Sequence, residues 1–292
     1  MQTARHLHET SPASGPPTFA PLMLGFDMPE VERWAQFSGD RNPIHFDLAH
    51  ARAAGVDALI VHGMLAMLPM KQALSQALPP TGWTKFRTLL RKPVAHGQDV
   101  VFDTKPAAAG LAFRLHDTSG QVEHFRGTYG RVDDLSSQLQ GGVGRARPLD
   151  GAHLERFRHA YPDVRERWIA LDAIVFSEFM RTRLHVVERL ARAHMLRLSG
   201  GAPVSRVVVQ SSHTVTFDAA FFDQELDAGA WNRLGHTLLA PELLASGNQI
   251  GGVVALPVMC DGRPVMLVEV GLVARFDINP INVQRNINSM EV

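Results

Sequence analysis

Between Ser136 and Ala152 the chain runs SSQLQGGVGRARPLDGA, poor in large apolar residues and rich in Gly, Gln and Ser. Such a stretch has no apolar face to bury, so it reads as a linker. It divides the 292 residues into two blocks of similar size, 21–135 and 153–292. This division constrains the fold most, because each block reads in the same order, helix first and strands after. The length also suits about two domains. Met1 to Ala20 is rich in Pro, Ser, Thr and His and has no apolar run, so it reads as a flexible leader rather than a secretory signal.

In the first block, Pro29 to Phe37 (PEVERWAQF) sets Val31, Trp34 and Phe37 three apart, on one face of a short amphipathic helix. A polar turn follows, then a second short helical piece from Asp47 to Ala54, closed by Gly55. Gly63 to Leu78 (GMLAMLPMKQALSQAL) is apolar almost all round at first and predicts a buried helix. Pro69 inside it is expected to cost a hydrogen bond and kink it. Strand-like runs come next, at Phe86–Pro93, Asp99–Ala107, Leu111–His116 and Glu123–Val132. In the second block Trp168–Leu198 predicts a long helical stretch, broken once at most, and Ser205–Phe217 alternates as a strand. Gly251–Cys260 and Val265–Phe276 flank Asp261-Gly262, a strong hairpin signal. The Asn-rich tail from Asn279 is expected on the surface. Each block thus predicts a long helix against an antiparallel sheet, an α+β arrangement.

Composition narrows the functions. Hydrophobic residues at 45% and charged residues at 20% suit a packed core. A formal net charge of zero argues against nucleic acid or an anionic membrane as partner, and no stretch reaches transmembrane length. Cys260 is the single cysteine, so neither an intrachain disulfide nor a thiolate metal cluster can form, and a reducing, cytoplasmic home is expected.

The chemistry-bearing stretch is Phe37-Ser38-Gly39-Asp40-Arg41-Asn42-Pro43-Ile44-His45-Phe46-Asp47. Singly, its residues have plain structural uses. Ser38-Gly39-Asp40 can turn the chain, Asn42-Pro43 is an ordinary turn pair, and Asp47 can cap the next helix. A lone histidine such as His45 is more often structural than catalytic. Together they say more. Pro43 keeps Asn42 out of the helical region, so a fixed irregular loop holds a carboxylate and an imidazole close together. Such a pair can take a proton from water and return one to carbon.

This stretch resembles the signature of the MaoC-like (R)-specific enoyl-CoA hydratases and dehydratases, a branch of the hot-dog superfamily. ARAAGV at 51–56 and IVHGM at 60–64 resemble the family's approach to its central helix, and FRTLLRKPVAHGQDVVF at 86–102 resembles its next strand pair. The resemblance covers about residues 22–135. It implies that Asp40 and His45 hold the water and move the protons, that Asn42 orients the loop, and that the backbone N–H of Gly63 binds the thioester oxygen. An independent reason supports the last role: the first N–H groups of a helix lack internal partners and the helix dipole favours negative charge there. Ser38, His62 and Met64 flank these groups and are candidate substrate contacts. The implied reaction is hydration of a trans-2-enoyl thioester, or dehydration of an (R)-3-hydroxyacyl thioester, by syn addition or loss of water. Coenzyme A or an acyl carrier protein would be part of the substrate. No separate cofactor or metal is expected, in keeping with the lack of an HExxH or Cys/His cluster.

The second block has no SGDxNPxH, yet RVVVQSSHTVTFD at 206–218 and the late hairpin have the rhythm of a degenerate hot dog. In the superfamily two units pair edge to edge with the site at the seam, so the chain is expected to be a double hot-dog, with a homodimer left open. Fused hydratases of this kind usually carry the motif in the C-terminal half; here it is N-terminal. His213 is a candidate site residue from the second block, although a strand histidine is usually structural. Arg181, Arg183, Arg189, Arg192 and Arg197 crowd one helical stretch, either as a solvated face partly matched by Glu178 and Glu188 or as a surface for phosphate or an acidic carrier. Two rivals stand beside the hydratase. One is a hot-dog thioesterase, which generally needs a carboxylate on its central helix; residues 63–78 have none. The other is a silent acyl-binding or assembly subunit.

Overall fold

The computed structural model describes residues 20–135, 139, 147–199, 204–223 and 231–277. The leader, most of the linker and the Asn-rich tail lie outside them.

The first block opens with β1 (Leu22–Leu24) and α1 (Met28–Ser38). Asp27 and Glu30 form a reciprocal capping box at the start of α1, and Val31, Trp34 and Phe37 are buried along it, as their spacing predicts. Gly39 ends it at φ +77°, a left-handed conformation that suits glycine. A 3-10 turn at Pro43–His45 and α2 (Leu48–Ala53) follow, with Asp47 capping α2. The long α3 (Gly63–Ala77) carries Pro69 in its interior without ending there. It is buried on nearly every face of its first two turns, hence the unpatterned apolar run. Antiparallel strands β2 (Trp83–Leu90), β3 (Val100–Ala107), β4 (Gly110–Asp117) and β5 (Glu123–Arg131) complete the unit.

In the second block β6 (Arg147–Pro148) and α4 (Gly151–Ala160, capped by Asp150) lie before the long helices. Within the stretch read as linker, Arg147–Pro148 is therefore strand and Gly151–Ala152 the start of a helix. The helical stretch expected at Trp168–Leu198 is broken once, at Arg183, into α5 (Arg167–Thr182) and α6 (Leu184–Ser199). Burial changes there: every residue from Trp168 to Phe179 is buried, whereas α6 buries Val187, Ala191 and Met195, one per turn. The first is a central helix, the second a surface helix. Next come β7 (Val204–Asp218), α7 (Ala219–Asp223), β8 (Leu234–His236), β9 (Glu242–Ser246), β10 (Gln249–Cys260) and β11 (Arg263–Asp277). Asp261 at φ 50° and Gly262 at φ 80° make the expected tight turn between β10 and β11.

The strands form one eleven-stranded sheet in the order β1-β3-β4-β5-β2-β7-β11-β10-β8-β6, with β9 beside β10. The halves join where β2 pairs antiparallel with β7, placing Thr88 opposite His213 and Leu89 opposite Ser212. Helices α3 and α5 pack on this sheet, and their buried residues belong to one continuous core with Phe86, Phe102, Val215 and Phe217. Two central helices on one seamed antiparallel sheet make a double hot-dog.

Candidate active site

The Asp40–His45 loop leaves the end of α1 and is tied on all sides. Ser38 Oγ accepts the Asp40 N–H at 3.1 Å, and Asp40 Oδ1 accepts the Asn42 N–H at 3.2 Å. That leaves Asp40 Oδ2 facing His45 Nε2 at 4.0 Å. This is too long for a direct hydrogen bond but leaves room for a water about 2.8 Å from each. His45 Nδ1 lies 2.8 Å from the Ile60 carbonyl, which can only accept, so Nδ1 carries the proton and Nε2 presents a lone pair. His62 stacks on His45, ring centroids 3.6 Å apart, and its Nε2–H donates to the Asp40 carbonyl at 3.0 Å.

The second half completes the loop's support. Asn42 Nδ2 donates to the Val208 carbonyl of β7 at 2.8 Å, while its Oδ1 accepts the Ile44 N–H. Arg181 of α5 reaches across to the end of α1, donating to the carbonyls of Gln36 at 2.7 Å and Phe37 at 2.8 Å. These are the orphan carbonyls of a helix C-terminus, where a cation is favoured. Arg181 is thus a cap, and Glu178 pairs with His153 at 2.6 Å instead of matching the arginines of its own helix.

The loop opens on a cleft of about 1410 Å³ between the halves. Asp40, Asn42, His45 and Gly63 line it from the first half; Phe176, Met180 and Gln210 do so from the second. Arg91, Lys92, Arg189, Arg192 and Arg275 also line it. Four candidates named from sequence stand behind this wall instead. Ser38, His62 and Met64 are buried and hold the loop or fill the core, and His213 is fully buried, donating from Nε2 to Asp172 at 2.9 Å. The other Asp172 oxygen accepts from Lys71 Nζ of α3, so a buried Lys71–Asp172–His213 chain joins the halves. Sequence reading missed Lys71, Asp172, Asn42's partner and Gln210; the one visible signal was a lysine and an aspartate each preceded by an apolar run in its helix.

Electrostatics follow from burial. Burial raises the Asp40 carboxyl above its ordinary value, opposed by His45 and by the Asn42 N–H. Burial lowers His45, opposed by Asp40 and the Ile60 carbonyl. Each group's charge is disfavoured, so a proton is easily exchanged between them and water. His62 is pushed down to about 2 by burial and by His45, and stays neutral. Burial alone would raise Asp172, but His213 and Lys71 outweigh it and hold the carboxyl at about 2.

Asp40, His45 and His62 each offer a ligand atom within 4.8 Å of the others. The two imidazoles are stacked, however, with planes inclined by only 27°. One nitrogen of each ring is already engaged by a backbone carbonyl, His45 Nδ1 by Ile60 and His62 Nε2 by Asp40.

The buried histidines set an acid limit on stability. His45, His62, His213 and His236 are all lowered by burial. Between their folded values and about 6.5 the unfolded chain binds more protons, so their contribution is present above about pH 6.5 and lost as pH falls. Asp40, raised, works in the opposite direction from about pH 3.8 up to its folded value. The denaturation midpoint is expected to fall steadily from pH 7 to 5, His62 alone accounting for about 2 kcal/mol over that span. A His62→Gln variant should show a shallower slope; a flat profile in the parent protein contradicts the burial described here.

Fold and site together define the class: a double hot-dog protein with a largely buried carboxylate–imidazole pair at the seam of its halves. Residues 20–124 match the model of the MaoC like domain family. Over 76 residues the chain is 32% identical to the mitochondrial 3-hydroxyacyl-[acyl-carrier-protein] dehydratase of Arabidopsis thaliana, covering 26% of this chain and 46% of that protein. The chain thus spans about half the length of the curated relative it matches. It is 27% identical to the (R)-hydratase from A. caviae involved in PHA biosynthesis, covering 40% of this chain and 95% of that one, with a TM-score of 0.34. A MaoC domain protein from Chloroflexus aurantiacus J-10-fl covers 92% of this chain and 99% of its own at 8% identity and a TM-score of 0.50, a likeness of fold alone.

Proposed function

We propose that the protein adds water to trans-2-enoyl thioesters, or removes it from (R)-3-hydroxyacyl thioesters, with Asp40 and His45 as the catalytic pair. The observation that carries this reading is the 4.0 Å gap between Asp40 Oδ2 and His45 Nε2, both facing a cleft and each with its other side-chain heteroatom already bonded. A water in that gap loses a proton to one of the pair as its oxygen bonds to C3. The C2=C3 electron pair takes a proton at C2 from the other, and charge that builds on the thioester oxygen is received by the N–H groups at the start of α3. His62, the N-cap, makes no side-chain hydrogen bond to them. Both protons move on the side of the substrate facing the loop, giving syn addition.

Asn42 acts as the loop's anchor across the seam, and the apolar side chains of Ile60, Phe176 and Met180 offer a wall for the acyl chain. The basic residues of the cleft suit the phosphates of coenzyme A or of a carrier-bound arm. The proton chemistry needs no cofactor, and the lone cysteine suits a cytoplasmic setting. Among the described residues no helix is long and apolar enough to cross a membrane. A thioesterase reading would turn to the carboxylates on α5, but Asp172 is fully buried with both oxygens engaged and Glu178 is buried beside His153.

Loss of enoyl absorbance with crotonyl-CoA and a longer enoyl-CoA, followed by chiral analysis of the product, tests the proposal. The expected result is turnover to the (R)-3-hydroxyacyl ester. Absence of turnover on both CoA esters and on a crotonylated carrier protein rejects it.

A further inference from the structure

Strand β7 has a bulge at the seam. Gly271 of β11 pairs with Ser212 while Leu272 pairs with Gln210, leaving Ser211 without a partner in that ladder. Gly271 makes the bulge fit, because a Cβ there would stand 2.1 Å from Ser212 Oγ. In a regular strand residues three apart point to opposite faces. The extra residue brings Gln210 and His213 to the same side, and Gln210 Nε2 lies 3.3 Å from His213 Nδ1.

Which end of the Gln210 amide faces the cleft follows from the chain of bonds behind it. Asp172 accepts from Lys71 on one oxygen and from His213 Nε2–H on the other. His213 Nδ1 is then a lone pair, and only the amide NH₂ can donate to it. Reversing the amide would set two acceptors against each other. The Gln210 NH₂ is also 3.4 Å from the Ser212 carbonyl, so its donors are occupied on the strand side. Oε1 is left pointing toward α3, 3.1 Å from where a Cβ on Gly63 would lie, and it accepts no hydrogen bond among the described residues. Gln210 lines the cleft beside Gly63.

We propose that Gln210 is a substrate-binding residue contributed by the motif-free half: its locked Oε1 accepts the N–H of the arm amide nearest the thioester sulfur. The inference rests on the thioester reading, with the carbonyl at the start of α3 and the arm leaving along the seam. An acceptor in this place does not stabilise the thioester oxygen; it selects for a donor further along the same molecule. Lys71, Asp172 and His213 act through Gln210 as positioning residues, which gives the buried chain a use beyond holding the halves together.

The test compares butyryl-pantetheine with an analogue in which the amide N–H nearest the sulfur is replaced by an ester oxygen. Binding is measured by NMR titration of the full chain and of Gln210→Leu. Neither compound has a double bond, so no turnover is needed. The expected result is an amide preference of about tenfold in the parent protein, the size of one well-made hydrogen bond, falling to near unity in Gln210→Leu. The ratio is internal to each protein, so a general loosening of the variant does not mimic it. Equal ratios in the two proteins, or binding of neither compound, overturn the proposal. An amide preference in a protein that turns over neither CoA ester nor a crotonylated carrier protein upholds Gln210 while rejecting the hydratase.

Discussion

Asp40→Asn is expected to lower turnover of crotonyl-CoA by two or more orders of magnitude while leaving the thermal midpoint unchanged or raised. The two effects have one cause. Burial raises the Asp40 carboxyl, so its charged form is held at a cost to the fold at neutral pH. Asparagine keeps the oxygen that accepts the Asn42 N–H, so the loop stays in place, but it neither takes nor gives a proton. Loss of a positioned acid–base group typically costs about 10²–10⁴-fold. His45→Ala should fall by a similar factor and lose some stability, because it removes the ring that His62 stacks on and the bond to the Ile60 carbonyl. The double variant should be little worse than either single one, since residues that act as a unit are not additive. Steady-state kinetics beside thermal denaturation read both quantities. Parent-like turnover in Asp40→Asn removes the carboxylate from the mechanism.

The largest stability effect is expected from Lys71→Met. Lys71, Asp172 and His213 are all fully buried, and Lys71 lies over the Phe86 ring at 5.1 Å. Removing the ammonium leaves Asp172 inside the core with a neutral imidazole as its partner. Breaking a buried ion pair from one side costs about 3–5 kcal/mol, mostly the penalty of an uncompensated charge. His213 should then bind a proton more readily, which NMR of the imidazole would detect as an upward shift in its titration. Adding Asp172→Asn to Lys71→Met should recover much of the loss, since no unpaired charge remains. Denaturant unfolding of the two single variants and the double gives the coupling. A loss below about 1 kcal/mol in Lys71→Met would mean that water reaches the pair.

The Asp40–His45 loop was legible because its determinants are contiguous: a glycine that ends α1, a proline that bars helix at Asn42, and short side chains that bond their own backbone. The α1 face and the Asp261-Gly262 turn were legible for the same reason, since helix period and left-handed φ preference act over a few residues. Ser38, His62, Met64 and His213 show the limit of such reading. Each lies beside the chemistry in sequence or suits it by type, yet sequence does not tell which side of the cleft wall a residue takes. The split of the long helical stretch at Arg183 was expected in number but not in place, because it follows the change from all-round burial to a single buried face.

Sequence by itself therefore determined the two-block α+β plan, the loop that holds Asp40 and His45, and the hairpin that closes the second half. Only the tertiary structure decided that Asn42 binds Val208, 166 residues away, that Lys71 meets Asp172, 101 residues away, and that Gln210 stands beside Gly63. The physical reason is register. These contacts depend on how β2 aligns with β7 and on one bulge opposite Gly271, and no local preference of the chain encodes which distant strand supplies the partner.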